Sequence, residues 1–523
     1  MKRFADLLER LAFTPGRNAK LALLERYFRD TPDPDRGYAL AALTGGLETG
    51  QAKPALLRAL VAERVDPELF ALSYDYVGDL AETIALIWPE RDTPRDVPLS
   101  EVVVTLSGAG KTELPALIAR WLDQMRPSER FALIKLVTGS LRVGISTRLA
   151  LTGLARIGTV PLDEIEELWS GFEPPYAPLF AWLDGGPRPE VTAKAPFRPV
   201  MLSTPVTEAD LPALDPAAYA AEWKWDGIRV QAVSEGGVAR LYTRTGEDIS
   251  GSFPDIVERM HFDGALDGEL LIRREGLVAP FSDLQKRLGR KSPGKAIIAS
   301  HPAALRLYDV MTWDGEDLRA LPWTERRARL EAAVAELDDA RFDVSERLPF
   351  GDWDALAALR ADPPDAVIEG VMLKRLDSPY TAGRPRGPWF KWKRDPMIVD
   401  AVILYAQRGH GKRSGFYSDF TFGLWDGDML VPVGKAYSGF TDEELNRLDR
   451  FVRNNTIDRF GPVRSLKARL VVEVAFEGLN RSTRHKSGVA MRFPRIRRIR
   501  WDKPAEEADR LTALTDILDG MGA

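Results

Sequence analysis

The sequence predicts a multi-domain protein: an all-α N-terminal domain, an α+β middle domain and a small C-terminal β-barrel. Three observations predict it. Apolar residues recur at helical spacing through roughly the first 190 residues. Short alternating segments replace that pattern near residue 200. Beyond 396 those segments crowd together around one helical stretch. A chain of 523 residues has room for two to four domains.

The N-terminal part is read first. KLALLERYF, PALLRALVAERV, LPALIARWLDQM and RLALTGLARI place apolar residues at i, i+3, i+4 and i+7, one stripe of a helix. TPDPDRG, FEPPYAP and LDGGPRPE interrupt them, and the last marks a domain boundary near 184–190. There is no fixed-period repeat. MKRFADLLERLAF carries Asp6, Glu9 and Arg10 where a signal peptide needs an apolar core, so it reads as an amphipathic helix. No apolar run approaches the roughly 20 residues of a membrane span.

The middle and C-terminal parts follow. EWKWDGIRVQAVSE, VARLYTRTG, GALDGELLIRRE, LRLYDVMTWDG, IEGVMLKRLD and WFKWKRD read as strands with helices between them, in a largely antiparallel α+β arrangement. MIVDAVILYAQ, FTFGLWDGDMLVPVGKAY, ARLVVEVAFEGL and PRIRRIRWD, with the helix TDEELNRLDRFVRNN, suit a small closed barrel such as an OB-fold. The expected boundaries are 1–195, 200–395 and 396–515.

Composition narrows the chemistry. The chain is 45% hydrophobic and 28% charged, so it can bury real cores. The absence of cysteine excludes disulfides, thiolate zinc sites and a cysteine nucleophile, and fits a reducing cytosol. The net charge of −5 argues against a nucleic-acid partner. The distribution argues otherwise: residues 484–503 hold eight Lys/Arg against one Asp.

Two lysines compete for a nucleotide. VVVTLSGAGKTE has the letters of a phosphate-binding loop around Lys111. The pattern G-x-x-x-x-G-K-[ST] requires glycine at 105, where this chain has Thr105. The neighbourhood is also helical, so 108–112 reads as a turn before a helix starting near Glu113. Lys224, in Glu222-Trp223-Lys224-Trp225-Asp226-Gly227-Ile228-Arg229-Val230, lies between two tryptophans on a strand. Apolar surroundings lower an amine's pKa and favour a nucleophile. Asp226 shares its strand face and could hold the amine. Arg244, Asp267-Gly268-Glu269, Tyr308-Asp309, Glu369 with Lys374, and Lys391 with Lys393 supply carboxylates for a divalent ion, cations for phosphates and a ring for a base.

In order and spacing these segments resemble the ATP-dependent DNA ligases of the covalent nucleotidyltransferase superfamily. EWKWDGIRV fits E/D-x-K-x-D/N-G-x-R at every specified position. TRT, LDGELL, LYDVMTWDG, EGVMLK, WFKWK and RFPRIRRIRWDK match the remaining motifs, so the resemblance covers about 220–503. LVTGSLRVGISTRLALTGLA, 136–155, resembles the DNA-contacting segment of the family's N-terminal DNA-binding domain.

The resemblance implies an ATP-grasp-like adenylation (nucleotidyltransferase) domain in the middle. It implies that Lys224 takes AMP from ATP as a phosphoramidate and passes it to the 5′-phosphate of a nick, which the 3′-hydroxyl then seals. Glu222 should contact the adenine and Tyr308 stack on it. Arg229 and Arg244 should meet the sugar and phosphates, and Glu269 the ribose or a metal. Glu369 should hold the ion, and Lys391 and Lys393 the α-phosphate. Arg384 should bind the nucleotide, with Arg386 hard to separate from it because the usual G-R-R reads G-R-P-R here. Arg142, Arg492, Arg495 and Arg497 should grip DNA. Mg²⁺ is the expected ion, with Mn²⁺ as the alternative, because oxygen ligands dominate and there are only four histidines.

The expected partner is nicked double-stranded DNA, with no membrane. The expected protein is a cytoplasmic monomer (nucleoid-associated if bacterial) serving replication, repair or recombination beside separate repair proteins. RNA ligases and capping guanylyltransferases share the lysine core, but the helical N-terminal part and the C-terminal motif count against them. The missing cysteines disfavour a zinc-bearing NAD⁺-dependent ligase. The intact lysines and glutamates disfavour a catalytically dead DNA-binding scaffold. A P-loop ATPase is the weakest reading.

Overall fold

The computed structural model describes residues 1–47, 52–90, 94–110, 112–139, 141, 143–190, 194–290, 292–409, 415–483 and 485–520. Two compact units are distinguished. One comprises Met1–Ile165, Phe172–Glu190 and Met397–Gly520; the other comprises Glu166–Gly171 and Val191–Pro396.

The N-terminal segment is helical, as its periodicity predicts. Helix Lys2–Phe13 buries Phe4, Leu7, Leu8 and Leu11, and helix Arg17–Asp30 buries Leu21, Leu24 and Phe28. Asp35 accepts from the Leu99 and Ser100 N–H groups, which caps helix Leu99–Gly108 from 64 residues away in the chain. Asp79 caps its own helix through Glu82 N and pairs with Lys135 Nζ at 2.7 Å. Gly153 lets helix Thr147–Ala155 approach helix Arg17–Asp30: a Cβ there would stand 2.6 Å from Leu24 Cβ.

The apolar run Val102-Val103-Val104 belongs to helix Leu99–Gly108, not to a strand. Thr105 lies inside that helix and donates to Glu101 O. The next helix, Leu114–Gln124, begins directly after Glu113, and Gly110 N–H donates to the Glu113 carboxylate at 3.1 Å. The P-loop letters therefore join two helices. Lys111 itself lies outside the described residues.

The middle segment contains two sheets. Its strands are β1 (Thr204–Pro205), β2 (Tyr219–Trp225), β3 (Ile228–Glu235), β4 (Val238–Thr243), β5 (Gly264–Arg274), β6 (Leu277–Val278), β7 (Ala303–Trp313), β8 (Glu316–Asp317), β9 (Phe342–Val344), β10 (Arg347–Leu348), β11 (Ile368–Arg375) and β12 (Trp389–Lys393). One sheet runs β1-β12-β11-β2-β10; the other runs β4-β3-β5-β7-β8, with β6 beside β5 and β9 beside β7. Pairing is antiparallel except β1 with β12 and β7 with β9. The consecutive strands β2 and β3 lie in different sheets, and Asp226-Gly227 carries the chain across. A Cβ on Gly227 would meet Leu270 O at 2.5 Å, so that crossing admits little but glycine.

Each sheet has its own core. Ala221, Trp223, Val371, Leu373 and Trp392 pack behind the first, with Leu356 of helix Trp353–Ala361. Val230, Ala232, Leu266, Leu270, Leu305 and Leu307 fill the second, with Leu330 of helix Trp323–Leu337. Met201, Val233, Ala265, Met311, Tyr380 and Trp389 form a third apolar cluster.

The C-terminal segment is β-rich. β13 (Met397–Arg408) is flanked by β14 (Tyr417–Asp426) on one side; on the other it pairs with β17 (Val463–Leu466) and β18 (Val471–Phe476). β15 (Met429–Ala436) and β16 (Thr456–Phe460) are the ends of the path, and β21 (Arg495–Arg500) pairs with β18. β19 (Gly478–Arg481) and β20 (Val489–Arg492) form a separate hairpin. The expected helix is Asp442–Asn455, opened by a Thr441/Glu444 capping box. A second helix, Thr512–Gly520, puts Leu514 and Leu518 into the core and was not foreseen.

Candidate active site

Lys224 sits near the end of β2, directly across from Gly370 of β11. Its Nζ donates to Glu369 Oε2 at 2.6 Å. Lys393 Nζ lies 3.7 Å from the same oxygen. Strand alternation sends Trp223 into the core on the opposite side from Lys224. Trp225 packs partly against that same core and lies 4.4 Å beneath the Arg306 guanidinium. The two tryptophans thus do not wrap the amine as the sequence spacing suggests; its immediate partner is a carboxylate. Asp226 stands past the end of β2 in the crossing turn, where its N–H donates to Val367 O.

Gly370 makes this arrangement possible. Its φ of +148° is disfavoured for L side chains, and a Cβ would stand 2.3 Å from Trp392 O. β11 and β12 therefore approach closely where Glu369 and Lys393 converge.

Arg229 and Glu269 are cross-strand neighbours on β3 and β5. Burial pushes the Glu269 carboxyl up to about 7; Lys224 and Arg229 pull it down, while Glu369 and Asp267 add to the rise. Arg229 forms a fork onto Asp267 at 3.0 and 2.6 Å and donates to the Tyr380 hydroxyl, which itself donates to Asp267 at 2.6 Å. The Arg229 guanidinium also lies 5.7 Å from the Tyr308 and Trp389 ring centroids. Arg229 is thus fixed within the protein, and its unforeseen anchor is the buried Asp267 of LDGELL.

Lys391 reports the cation cluster. Burial holds its ammonium below the ordinary lysine pKa, and Lys393, Arg384, Lys224 and Arg244 push in the same direction. Five cations therefore share one field, as a site for several phosphate charges requires. Arg384 belongs to that cluster; Arg384 and Arg386, two residues on, are both exposed. Arg244 is exposed just after β4.

Glu222 and Tyr308 lie deeper. The Glu222 carboxylate accepts from Arg327 Nη1 at 3.1 Å and Lys374 Nζ at 3.0 Å. Lys374 also donates to Tyr308 O and stands 4.6 Å from the Tyr308 ring centroid. Burial raises the Tyr308 hydroxyl well above its usual pKa. Asp309, beside it, forms a fully buried double hydrogen bond with Arg326. Sequence reasoning missed Tyr380, Arg326 and Arg327, and read Asp267 as a carboxylate for an ion where the structure makes it the anchor of Arg229. YTAGR contains Tyr380; nothing local marks the arginines of WTERRARLE.

The residues assigned to DNA lie apart from this cluster in the chain. Arg492 ends β20, with its guanidinium 5.2 Å from the Phe493 ring. Arg495 and Arg497 stand on β21 beside Glu477 at 3.4 Å and Glu473 at 3.2 Å. Lys503 and Arg500 share Asp400. The basic run is therefore partly neutralised by carboxylates distant in sequence. Arg142 lies outside the described residues.

Family profiles described as "DNA ligase N terminus", "ATP dependent DNA ligase domain" and "ATP dependent DNA ligase C terminal region" match residues 1–155, 200–393 and 413–503. A probable DNA ligase of Anaeromyxobacter sp. (strain Fw109-5) is 33% identical over 520 residues, covering 96% of this chain and 95% of its own. A probable DNA ligase of Koribacter versatilis (strain Ellin345) is 30% identical over 562 residues, covering 99% of this chain and 96% of its own.

The chain belongs to the ATP-dependent DNA ligases.

It is a phosphodiester-forming ligase that uses ATP and seals nicks in DNA through adenylate intermediates, the general mechanism of this family. Its layout is the family's: an N-terminal helical region, a nucleotidyltransferase segment and a C-terminal β domain. The solved structure Pmar-Lig_Pre shares that fold, with a TM-score of 0.63 at 16% identity over 96% of this ligase and 99% of that chain. No helix among the described residues is long and apolar enough to cross a membrane.

Proposed function

We propose that Lys224 is the residue this ligase adenylates. The observation that carries the assignment is the Lys224 Nζ–Glu369 contact of 2.6 Å inside the cluster of Lys391, Lys393, Arg384 and Arg244. An amine needs its proton removed to attack, and a polyphosphate needs its charge neutralised; this place supplies both.

Lys224 Nζ attacks the α-phosphorus of ATP, the bond to the bridging oxygen breaks, and pyrophosphate leaves with that electron pair. Glu369 Oε2, which accepts from that amine at 2.6 Å, takes the proton the amine sheds. Lys391 and Lys393 hold the α-phosphate, and Arg244 and Arg384 the outer charge. Arg229 braces the sugar side through Asp267. Tyr308 stacks on the adenine and Glu222 accepts from it. An oxygen of the nick's 5′-phosphate then displaces Lys224 from the adenylate, and the 3′-hydroxyl displaces AMP.

Mg²⁺, or Mn²⁺, fits the donor set in one way. Glu269 and Glu369 offer hard oxygen ligands, and there is no cluster of three His, Cys, Asp or Glu ligands among the described residues. An ion here would complete its shell with phosphate oxygens and water, and when bound it would withdraw charge from the phosphates.

The domains we propose are 1–195 for a wholly helical DNA-binding domain, 200–395 for adenylation and 396–515 for an OB-fold, whose last helix runs to Gly520. Arg142, Arg492, Arg495 and Arg497 contact the duplex. The ligase acts as a cytoplasmic monomer.

The test is covalent labelling with α-labelled ATP and Mg²⁺, followed by nicked duplex. Wild type and Lys111→Ala take up label and release it to DNA as AMP. Lys224→Ala takes up none. A label that depends on Lys111 instead overturns the assignment.

A further inference from the structure

Helix Trp323–Leu337 carries two adjacent arginines with separate tasks. Arg326 is spent on Asp309 and on the carbonyls of Leu321 and Ser378. Arg327 reaches elsewhere. Its Nη1 donates to Glu222 at 3.1 Å, its Nη2 to Ser345 O at 2.6 Å and its Nε to Glu331 at 2.6 Å. All three edges of its guanidinium are fixed, so its direction is fixed too.

Glu222 is 1% exposed. A buried carboxylate without partners would take up a proton or turn toward water. Here Arg327 holds one oxygen and Lys374 the other. Two of about four acceptor positions on the carboxylate are then used, and the rest stay open. An ionised, fixed carboxylate accepts from an exocyclic amino group. It repels a 6-oxo group and gains nothing from a bare ring carbon.

We infer that Arg327 is a positioning residue that holds Glu222 as a charged acceptor and so makes the ligase select a 6-aminopurine nucleotide. The inference rests on the proposed contact between Glu222 and the adenine. Arg327 comes from a helix outside every motif of the site, and its bond to Glu222 spans 105 residues of chain.

The test compares lysyl-nucleotide formation from ATP and from purine riboside triphosphate, which lacks the 6-amino group. The enzymes are wild type, Arg327→Met, Arg327→Gln and Arg327→Lys. Wild type should favour ATP in kcat/KM by about 10- to 100-fold, the scale of one hydrogen bond to a charged group. Arg327→Met should lose about tenfold of that preference, chiefly through the KM for ATP, with the analogue little affected. Arg327→Gln gives the same reading if the Met variant does not fold, and Arg327→Lys restores part of the preference.

A purely structural arginine would lower both substrates equally and leave the ratio at its wild-type value, which overturns the inference alone. A wild-type enzyme that accepts both nucleotides equally overturns the Glu222 contact as well.

Discussion

Glu269 shows how one side chain records its surroundings. Burial raises its carboxyl to about 7 despite two nearby cations. The folded state therefore binds a proton that the unfolded chain releases near its ordinary value of 4.5. Stability from this group is fully present below that value and is lost as pH rises through about 7. Glu269→Gln copies the protonated form at every pH. The variant should match wild type in melting temperature at pH 4 and exceed it at pH 8 in nucleotide-free protein. A constant difference across that range would mean that Glu269 does not titrate there. Lys224 could be singled out from sequence because its neighbours at fixed spacing form a dense motif. Its bond to Glu369 could not, because 145 residues separate the two.

The decisive element is the strand pair β11–β12. Glu369 and Lys374 lie on one strand and Lys391 and Lys393 on the other, and the close approach at Gly370 brings the two together. Gly370→Ala adds a Cβ against backbone atoms that cannot rotate away, at a φ of +148°. The expected cost is about 2 kcal/mol or more, with impaired lysyl-AMP formation in whatever fraction folds. Thermal melting and ATP labelling of the same preparation measure both; an unchanged melting temperature would remove the close approach as the reason for glycine. Helix type was legible in the N-terminal segment because a 3.6-residue period shows within single stretches such as KLALLERYF and LPALIARWLDQM. The final helix Thr512–Gly520 escaped notice because TALTDILDG is short.

Across the whole molecule, charge is uneven rather than simply acidic. The chain totals −5, yet it holds a five-cation cluster and a basic C-terminal run. Carboxylates at Glu473, Glu477 and Asp400 already accompany Arg497, Arg495, Arg500 and Lys503. Such surface pairs are weak, and phosphates can displace them. Affinity for nicked duplex should fall by at least about 100-fold between 50 and 200 mM salt, because several phosphate contacts release counterions. Fluorescence anisotropy with labelled nicked DNA measures it, and a flat response would remove the basic run from the DNA contact.

The sequence by itself determined the family and the order of helical and strand-rich segments, singled out Lys224 as the candidate nucleophile and broke the Lys111 motif at Thr105. Each rests on residues close together in the chain, where spacing alone constrains chemistry. The tertiary structure decided who holds whom: Glu369 on Lys224, Asp267 and Tyr380 on Arg229, Arg327 on Glu222. Those partners come from other strands, a loop and a helix, 38 to 151 residues away. Charged pairs of that kind are set by which elements the cores bring into register, and no local period encodes them.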